Sequence, residues 1–370
     1  MGLGERAAKL TYRGTWHAWA ATRKAPRIEV ICQRGVGVSG GVREYVHRVA
    51  EPAYVEPEFG YVMTERGHWL EQSLTPNFED PITPWRIATP APWRWLQARQ
   101  RRTSQVREFD CVISLRHLWE WNYYHFYLDA LGKLSLLDEA GLGRDIPIVL
   151  GKYALELPFV QQILRRGAFR DRVWVIPEHE YIRAKSVIYC RTGRPYRERL
   201  DYLLDEMDVA VPATNDGRRL FLTRGKGGTR RILNEDAVMN LLSRYGFTPV
   251  DTSGMSVDQQ IDTFSQARYL VAAHGAGVTN IIYRRTAPLG VLELHGSAHI
   301  SQDFWRICAQ YGHWWEHLAG DPDGPDPKHA NFTIDIEALE AALDRMMYPS
   351  ETVERTLRGQ HEPAILATSR

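Results

Sequence analysis

Tyr269-Leu270-Val271-Ala272-Ala273-His274-Gly275-Ala276-Gly277-Val278-Thr279-Asn280 is the stretch that decides the fold. Its first five residues are an apolar run of strand length. Its end leads into a second apolar run, Ile281-Ile282-Tyr283, that continues as a helix. Between the two lies a turn with two glycines. A buried strand that ends in such a turn and passes into a helix start is suited to hold an anion. Glycine admits close approach of backbone to ligand, and N–H groups at a helix start face negative charge. A phosphate or diphosphate is the natural guest. The turn is neither G-x-G-x-x-G nor a Walker loop, so neither dinucleotide nor ATP chemistry follows from it.

Working outward, the flanking residues alternate between strand and helix patterns. Leu220 to Thr223 reads as a strand, Glu235 to Tyr245 as a helix capped by Asn234, and Thr248 to Val250 as a short strand. Ser256 with Gln259 forms a capping box for a helix ending near Ala267. After the glycine turn come a strand at Val291 to Leu294, a helix at Gln302 to Tyr311, a proline-rich loop at Asp321 to Pro327 and a last helix from Ile334 to Met347. An earlier alternating run has strands at Cys111 to Leu115, Ile146 to Leu150 and Val173 to Ile176. Its helices fall at Trp121 to Ala140, Leu157 to Arg166 and Tyr196 to Met207. This alternation predicts parallel sheets with helices on their faces. The expectation is an α/β protein of two Rossmann-like domains facing a cleft. The N-terminal domain is expected over 1–212 and the C-terminal one over 213–348, with a tail over 349–370. Residues 1–107 are irregular apart from short runs such as Ile28 to Cys32, and Thr75 to Pro92 reads as loop.

Composition narrows the function. The 370 residues are 44% hydrophobic and 25% charged, as in a soluble globular protein. Basic and acidic residues number 46 and 45, a balance that argues against a general nucleic-acid binder. Four scattered cysteines, Cys32, Cys111, Cys190 and Cys308, form no C-x-x-C and fit a reducing compartment without a zinc site. No leader of signal-peptide form and no membrane-spanning run is evident, so a cytoplasmic location is expected. Twelve tryptophans and seventeen tyrosines supply flat side chains for packing, with sugar stacking open to a minority.

In an open parallel sheet, ligands sit at the carboxyl ends of the strands. Arg224 follows the 220–223 strand, His274 to Gly277 follow the next, and Glu293 lies near the end of the 291–294 strand. Arg224, Lys226, Arg230 and Arg231 form a basic, glycine-spaced loop whose guanidinium forks suit phosphate oxygens. Glu293 is placed to accept hydrogen bonds from two ribose hydroxyls. Phosphate donors with a ribose acceptor point to a nucleoside diphosphate. In the first half, Trp121-Asn122-Tyr123-Tyr124-His125-Phe126-Tyr127-Leu128-Asp129-Ala130-Leu131 is too polar and aromatic for a plain core helix. At 100° per residue, Tyr124, Leu128, Leu131 and Ser135 make one stripe, while Trp121, His125, Asp129 and Gly132 line another face. His125 and Asp129 are one turn apart and can touch. Such a pair suits either a general base, whose tautomer the carboxylate fixes, or a satisfied surface contact.

These blocks, W-N-Y-Y-H-F-Y-L-D-A-L, F-L-T-R with R-I-L-N-E, H-G-A-G-V-T-N and V-L-E-L, resemble the signature of glycosyltransferase family 61 across roughly residues 110–300. That family includes bacterial capsular and other polysaccharide biosynthesis proteins and eukaryotic N-acetylglucosaminyl- and xylosyltransferases. The resemblance implies a GT-B fold and inverting transfer from a nucleotide sugar, with no cofactor and no essential metal. Carried over, Arg224, Asn234, His274, Gly275, Ala276, Gly277, Asn280 and Glu293 belong to the donor site, with Lys226 and Arg230 from the basic loop. His125 and Asp129 fall on the family's polar aromatic helix, in the domain expected to supply the base that an inverting step needs, and are the expected catalytic pair. The implied partners are a nucleotide sugar and a glycan or lipid-linked oligosaccharide acceptor for surface polysaccharide, with no nucleic acid. Peripheral contact with the inner membrane face or a polysaccharide assembly machinery fits that setting. A non-catalytic transferase-like subunit and a nucleotide-sugar epimerase of GT-B form are the alternatives.

Three other patterns carry less. Asp321-Pro322-Asp323 is a D-x-D sequence set among prolines. His295/His299 and His313/His317 have four-residue spacing with no third ligand evident. The glycines of Gly35 to Gly41 read as turns between short strands.

Overall fold

The computed structural model describes residues 25–36, 42–58, 60–70, 73, 105–192, 196–212, 217–224, 229–285, 287–296, 300–324 and 329–348. Lys226, His299, the stretch 74–92, most of the Gly35 to Gly41 segment and the 349–370 tail lie outside the described residues. The chain divides into two compact units, Met1–Pro195 with Asp205–Asp208, and Tyr196–Leu204 with Val209–Arg370.

The first unit holds β1 (Ile28–Val36), β2 (Val42–Val49), β3 (Ala53–Val55), β4 (Val62–Thr64), β5 (Trp69–Leu70), β6 (Val106–Ser114), β7 (Ile148–Val149), β8 (Trp174–Val175) and β9 (Tyr181–Arg191). The β6-β7-β8 run expected from the sequence is parallel, and β6 also lies parallel to β9. The opposite edge of β9 carries β2 and β3, both antiparallel, and these extend to β1 and to β4 and β5. The sheet is therefore mixed, and only one flank is Rossmann-like. The organising strand is β9, to which the sequence pattern assigns no element. Its first half alternates buried Ile182 and Ala184 with Arg183 and Lys185. Those two reach Glu65, Glu108 and Asp110 on neighbouring segments. Charges paired only across strands look like loop when the chain is read alone.

The helix expected over 121–140 is broken. Asn122 caps a single turn, Tyr123–His125, its side-chain oxygen accepting the N–H groups of Tyr124 and His125. A π-helical segment follows, Phe126–Leu131, and then an α-helix, Lys133–Glu139. The Gly132 N–H reaches back five residues to the Tyr127 carbonyl at 3.1 Å. A Cβ at Gly132 would sit 2.3 Å from the Leu128 carbonyl oxygen, so the junction requires glycine. The expected one-sided stripe gives way to near-complete burial: from Phe126 to Leu137 only Asp129 is partly exposed. π-Helical turns recur at functional sites because the extra residue re-aims the side chains around it.

In the second unit β10 (Arg218–Leu222), β11 (Thr248–Val250), β12 (Ala267–Ala273), β13 (Gly290–Gly296) and β14 (Trp314–Asp323) run parallel in the order β11-β10-β12-β13-β14. β15 (Asn331–Thr333) is added antiparallel at the edge. Strands buried on both faces read as mostly apolar runs, which is why β10, β12 and β13 were legible, whereas β14, mostly half-exposed or exposed, and β15 fall where no strand was expected. Helices Glu235–Arg244 and Ile336–Met347 pack Val238, Leu241, Leu242, Leu339, Leu343 and Met346 into one core with Phe221, Val271 and Leu292. The capping box of Ser256 and Gln259 forms as expected on helix Val257–Ser265. The proline-rich loop was expected to start at Asp321, yet Asp321 to Asp323 are the end of β14, paired with β15. No described helix is long and apolar enough to cross a membrane.

Candidate functional site

The strand order of the second unit sets the place. From β10 the chain moves outward to β11 and then returns past β10 to β12, so the order reverses between β10 and β12. A crevice opens at the carboxyl ends of the two strands flanking such a switch point. Parallel register then aligns the side chains. Leu222 pairs with Ala272, Ala272 with Glu293, and Glu293 with His317. Two residues further along each strand direction come Arg224, His274 and His295, side by side. The three chain-distant sites expected to be neighbours are brought together.

At this edge the Arg224 guanidinium donates through Nη1 to the His274 carbonyl. A Cβ on Gly275 would lie 2.5 Å from that nitrogen, so glycine is what lets the arginine lie against the turn. Burial lowers the Arg224 pKa to about 10, with the charge of Arg230 adding to the effect. Among the described residues no carboxylate pairs with Arg224. Arg230 lies in the left-handed region at φ 61, rarely used by residues other than glycine. Its Nε is buried without a hydrogen-bond partner among the described residues. The segment after it is laid along β15, with Leu233 N–H on the Phe332 carbonyl and Phe332 N–H on the Arg231 carbonyl. Among the described residues neither Arg224 nor Arg230 has a carboxylate within salt-bridge distance, although the charge of Glu293 acts on Arg230; guanidinium groups left so are suited to an anion.

The turn itself departs from expectation in its continuation. Ala276–Arg284 is a 3₁₀-helix of nine residues. β-Branched Val278, Thr279, Ile281 and Ile282 lose side-chain freedom in an α-helix, and Val278 through Arg284 are all buried. Asn280, expected to meet the donor, is fully buried and donates to Gln260 Oε1 at 2.9 Å, tying this helix to Val257–Ser265. Asn234 makes no cap bond. Its amide instead spans the backbone of Ile334, donating to the carbonyl at 2.7 Å and accepting the N–H at 3.0 Å.

Glu293 requires the clearest correction. It is fully buried and both oxygens are engaged: Oε1 accepts from His274 Nδ1 at 2.6 Å, and Oε2 from Trp315 Nε1 at 2.9 Å. His295 Nε2 is a further 3.4 Å from Oε1. Burial raises the pKa of this carboxyl, but the hydrogen bonds and charges of His274 and His295 outweigh it and hold it at about 2. The carboxylate is not open to ribose hydroxyls. It instead orients His274, whose ring stacks on His295 with centroids 4.9 Å apart. His295 and Trp315 were missed as site residues. Strand alternation held the signal, since Glu293 and His295 share one face of β13.

The first unit builds a second cluster at the carboxyl end of β6. Arg116, 2% exposed, donates to Glu120 Oε1 at 2.8 Å and to the carbonyls of Glu56 and Pro57. Glu120 Oε2 accepts the His117 N–H, and Lys133 donates to the carbonyls of Leu115 and Arg116 at 3.4 and 3.0 Å. Burial lowers the Lys133 pKa. This lattice fixes His117 over the π-helical segment, its ring stacked on that of His125 with centroids 5.5 Å apart. His125 Nδ1 lies 2.6 Å from Asp129 Oδ2, so the pair expected from spacing forms. His117 Nε2 is 3.8 Å from the same oxygen. Burial drops the His117 pKa to about 4 and keeps the ring neutral at physiological pH. Sequence spacing could not find His117, Lys133 or Arg116, because the loop after β6 meets the helix only in the fold.

Two His–carboxylate sets, His117/His125/Asp129 and His274/Glu293/His295, bring their ligand atoms within 4.8 Å of one another and are close enough to share a cation. The D-x-D residues are on β14, away from both sets in the chain. His313 precedes that strand and His317 lies within it, so their four-residue spacing corresponds to about 13 Å of extended chain.

The second unit is thus an α/β fold whose parallel sheet carries Arg224 and the glycine turn at its switch point. Residues 123–289 match the family model described as Glycosyltransferase 61. The chain is also 28% identical, over 118 residues, to Beta-1,2-xylosyltransferase XAX1 of Oryza sativa subsp. japonica. The match covers 32% of this chain and 21% of that protein.

Proposed function

We propose that the chain is an inverting glycosyltransferase of GT-B form that moves a sugar from a nucleotide-sugar donor to a glycan or lipid-linked saccharide in surface polysaccharide biosynthesis. The observation that carries this reading is Arg224 at the β10/β12 switch point, laid against the glycine turn, with Arg230 close enough for its charge to act on it. Displacing a nucleoside diphosphate from an anomeric carbon builds negative charge on the leaving phosphate. Guanidinium groups and backbone N–H donors stabilise that charge in place of a metal. His274, held by Glu293, Gly275, Ala276 and Gly277 complete the donor edge. The acceptor hydroxyl loses its proton to the His125–Asp129 pair of the first unit, as single-displacement transfer requires a base.

Arg224→Ala tests the donor site. Calorimetry with UDP should show binding weaker by about 1.5–3 kcal/mol, the loss expected for a charge-assisted hydrogen bond. Unchanged affinity in a folded variant removes Arg224 from the site. A panel of UDP-sugars beginning with UDP-xylose, the donor class suggested by the name of the rice relative, then identifies the sugar.

Metal independence belongs to the same proposal. Transfer should survive EDTA at full rate. Loss in EDTA with rescue by manganese or magnesium would move attention to the two His–carboxylate sets.

A further inference from the structure

The His117 cluster carries an assignment that sequence spacing left undecided, namely which atom takes the proton. The Trp119 backbone N–H donates to His117 Nδ1 at 3.2 Å. A ring nitrogen that accepts a hydrogen bond carries no proton, so neutral His117 has its proton on Nε2. That N–H lies 3.8 Å from Asp129 Oδ2, longer than a hydrogen bond. Catalytic hydrogen bonds are often long in the unliganded enzyme and tighten when substrate binds. His117 has no ring nitrogen left to act as a base. Asp129 Oδ2 also receives His125 Nδ1 at 2.6 Å. A carboxylate oxygen accepts, so His125 bears its proton on Nδ1 and presents a lone pair at Nε2. The His125 side chain is 28% exposed, and no described residue hydrogen-bonds to its Nε2.

We infer that His125 takes the acceptor proton at Nε2 and that His117, acting through Asp129, is the positioning residue that keeps it set to do so. This rests on reading the chain as a glycosyltransferase. The acceptor O–H bond breaks as oxygen bonds to the anomeric carbon, its proton passes to His125 Nε2, and the bond to the nucleoside diphosphate breaks with its electron pair. The resulting imidazolium is stabilised by Asp129. His117, its ring stacked on that of His125, directs a second N–H at the same oxygen and closes on Oδ2 when substrate binds, keeping it where His125 meets it.

The test uses the full chain with ¹⁵N-labelled histidines, together with UDP release from the UDP-sugar panel in the presence of glycan acceptors. Nitrogen NMR should find neutral His125 with Nδ1 protonated and neutral His117 with Nε2 protonated. His117→Asn keeps an acceptor at the reach of Nδ1 but loses the donor to Asp129. It should lower kcat about 10–100-fold at unchanged donor KM, the range lost when an outer partner of a working imidazole is removed. His117→Gln restores a donor at the reach of Nε2 and should recover most of that rate. His125 with its proton on Nε2 would overturn the assignment, as would wild-type transfer by His117→Asn. Tautomers as expected, in a chain that transfers no sugar to any acceptor, would defeat the transferase reading and the catalytic role of His125, leaving only the hydrogen-bond order.

Discussion

His125→Ala should reduce transfer by about 10²–10⁴-fold, the usual worth of a positioned general base, with nucleotide affinity almost unchanged. Asp129→Ala should fall in the same range, because without the carboxylate the imidazole loses both the acceptor that fixes its tautomer and the charge that stabilises its protonated form. The separation of rate from affinity follows from the two units. His125 ends the turn before the π-helical segment and Asp129 lies within it, both in the first unit, whereas Arg224 follows β10 in the second. The measurement is single-turnover transfer alongside UDP calorimetry for both variants. Rates near wild type in both would mean that the cluster only secures the loop after β6.

Glu293→Ala should cost about 3–5 kcal/mol of stability, as when one partner of a buried charged network is removed. It leaves His274, His295 and Trp315 facing a cavity in place of a carboxylate. The same group sets part of the acid response. Its folded pKa, about 2, lies below the ordinary 4.5, so the unfolded chain binds the proton first as pH falls. The contribution is fully present above about pH 4.5 and is lost as pH drops towards 2, amounting to about 3 kcal/mol. His117 and His313 have pKa values depressed by burial from 6.5 to about 4 and about 3. Their share is present above pH 6.5 and is lost as pH falls through that window. Urea unfolding across pH should therefore show Glu293→Ala keeping the decline that starts near pH 6.5 and losing the extra fall between 4.5 and 2. An unchanged acid limb would mean that Glu293 is not held ionised in the fold.

The two halves of the molecule differ in how much of this could be read from the chain. Strands such as Leu270 to Ala273 are apolar along their length because helices cover both faces of a parallel sheet, and their separation by amphipathic helices gives the alternation directly. In the first unit, β3 to β5 are two or three residues long, and β9 carries Arg183 and Lys185 whose partners lie on other strands. Such segments have no local signature of sheet. The π-helical segment was hidden for a related reason: the pattern from Trp121 to Ala140 fits a regular helix, and the extra residue before Gly132 shows only in the hydrogen bonds.

By itself the sequence determined the glycine turn after a buried strand, the basic loop after the strand beside it, the one-turn spacing of His125 and Asp129, and the family resemblance those blocks carry. These are local properties, fixed by residue type and spacing. Tertiary structure decided what each polar group is for. Glu293 reads as an open carboxylate at a strand end until β14 brings Trp315 onto it and the strand's own face brings His295. Asn280 reads as a ligand contact until Gln260 takes its amide. His117 reads as one more loop histidine until Lys133 and Glu120 hold the loop over Asp129. The reason is that a buried polar group is defined by its hydrogen-bond partners, and those come from segments far along the chain.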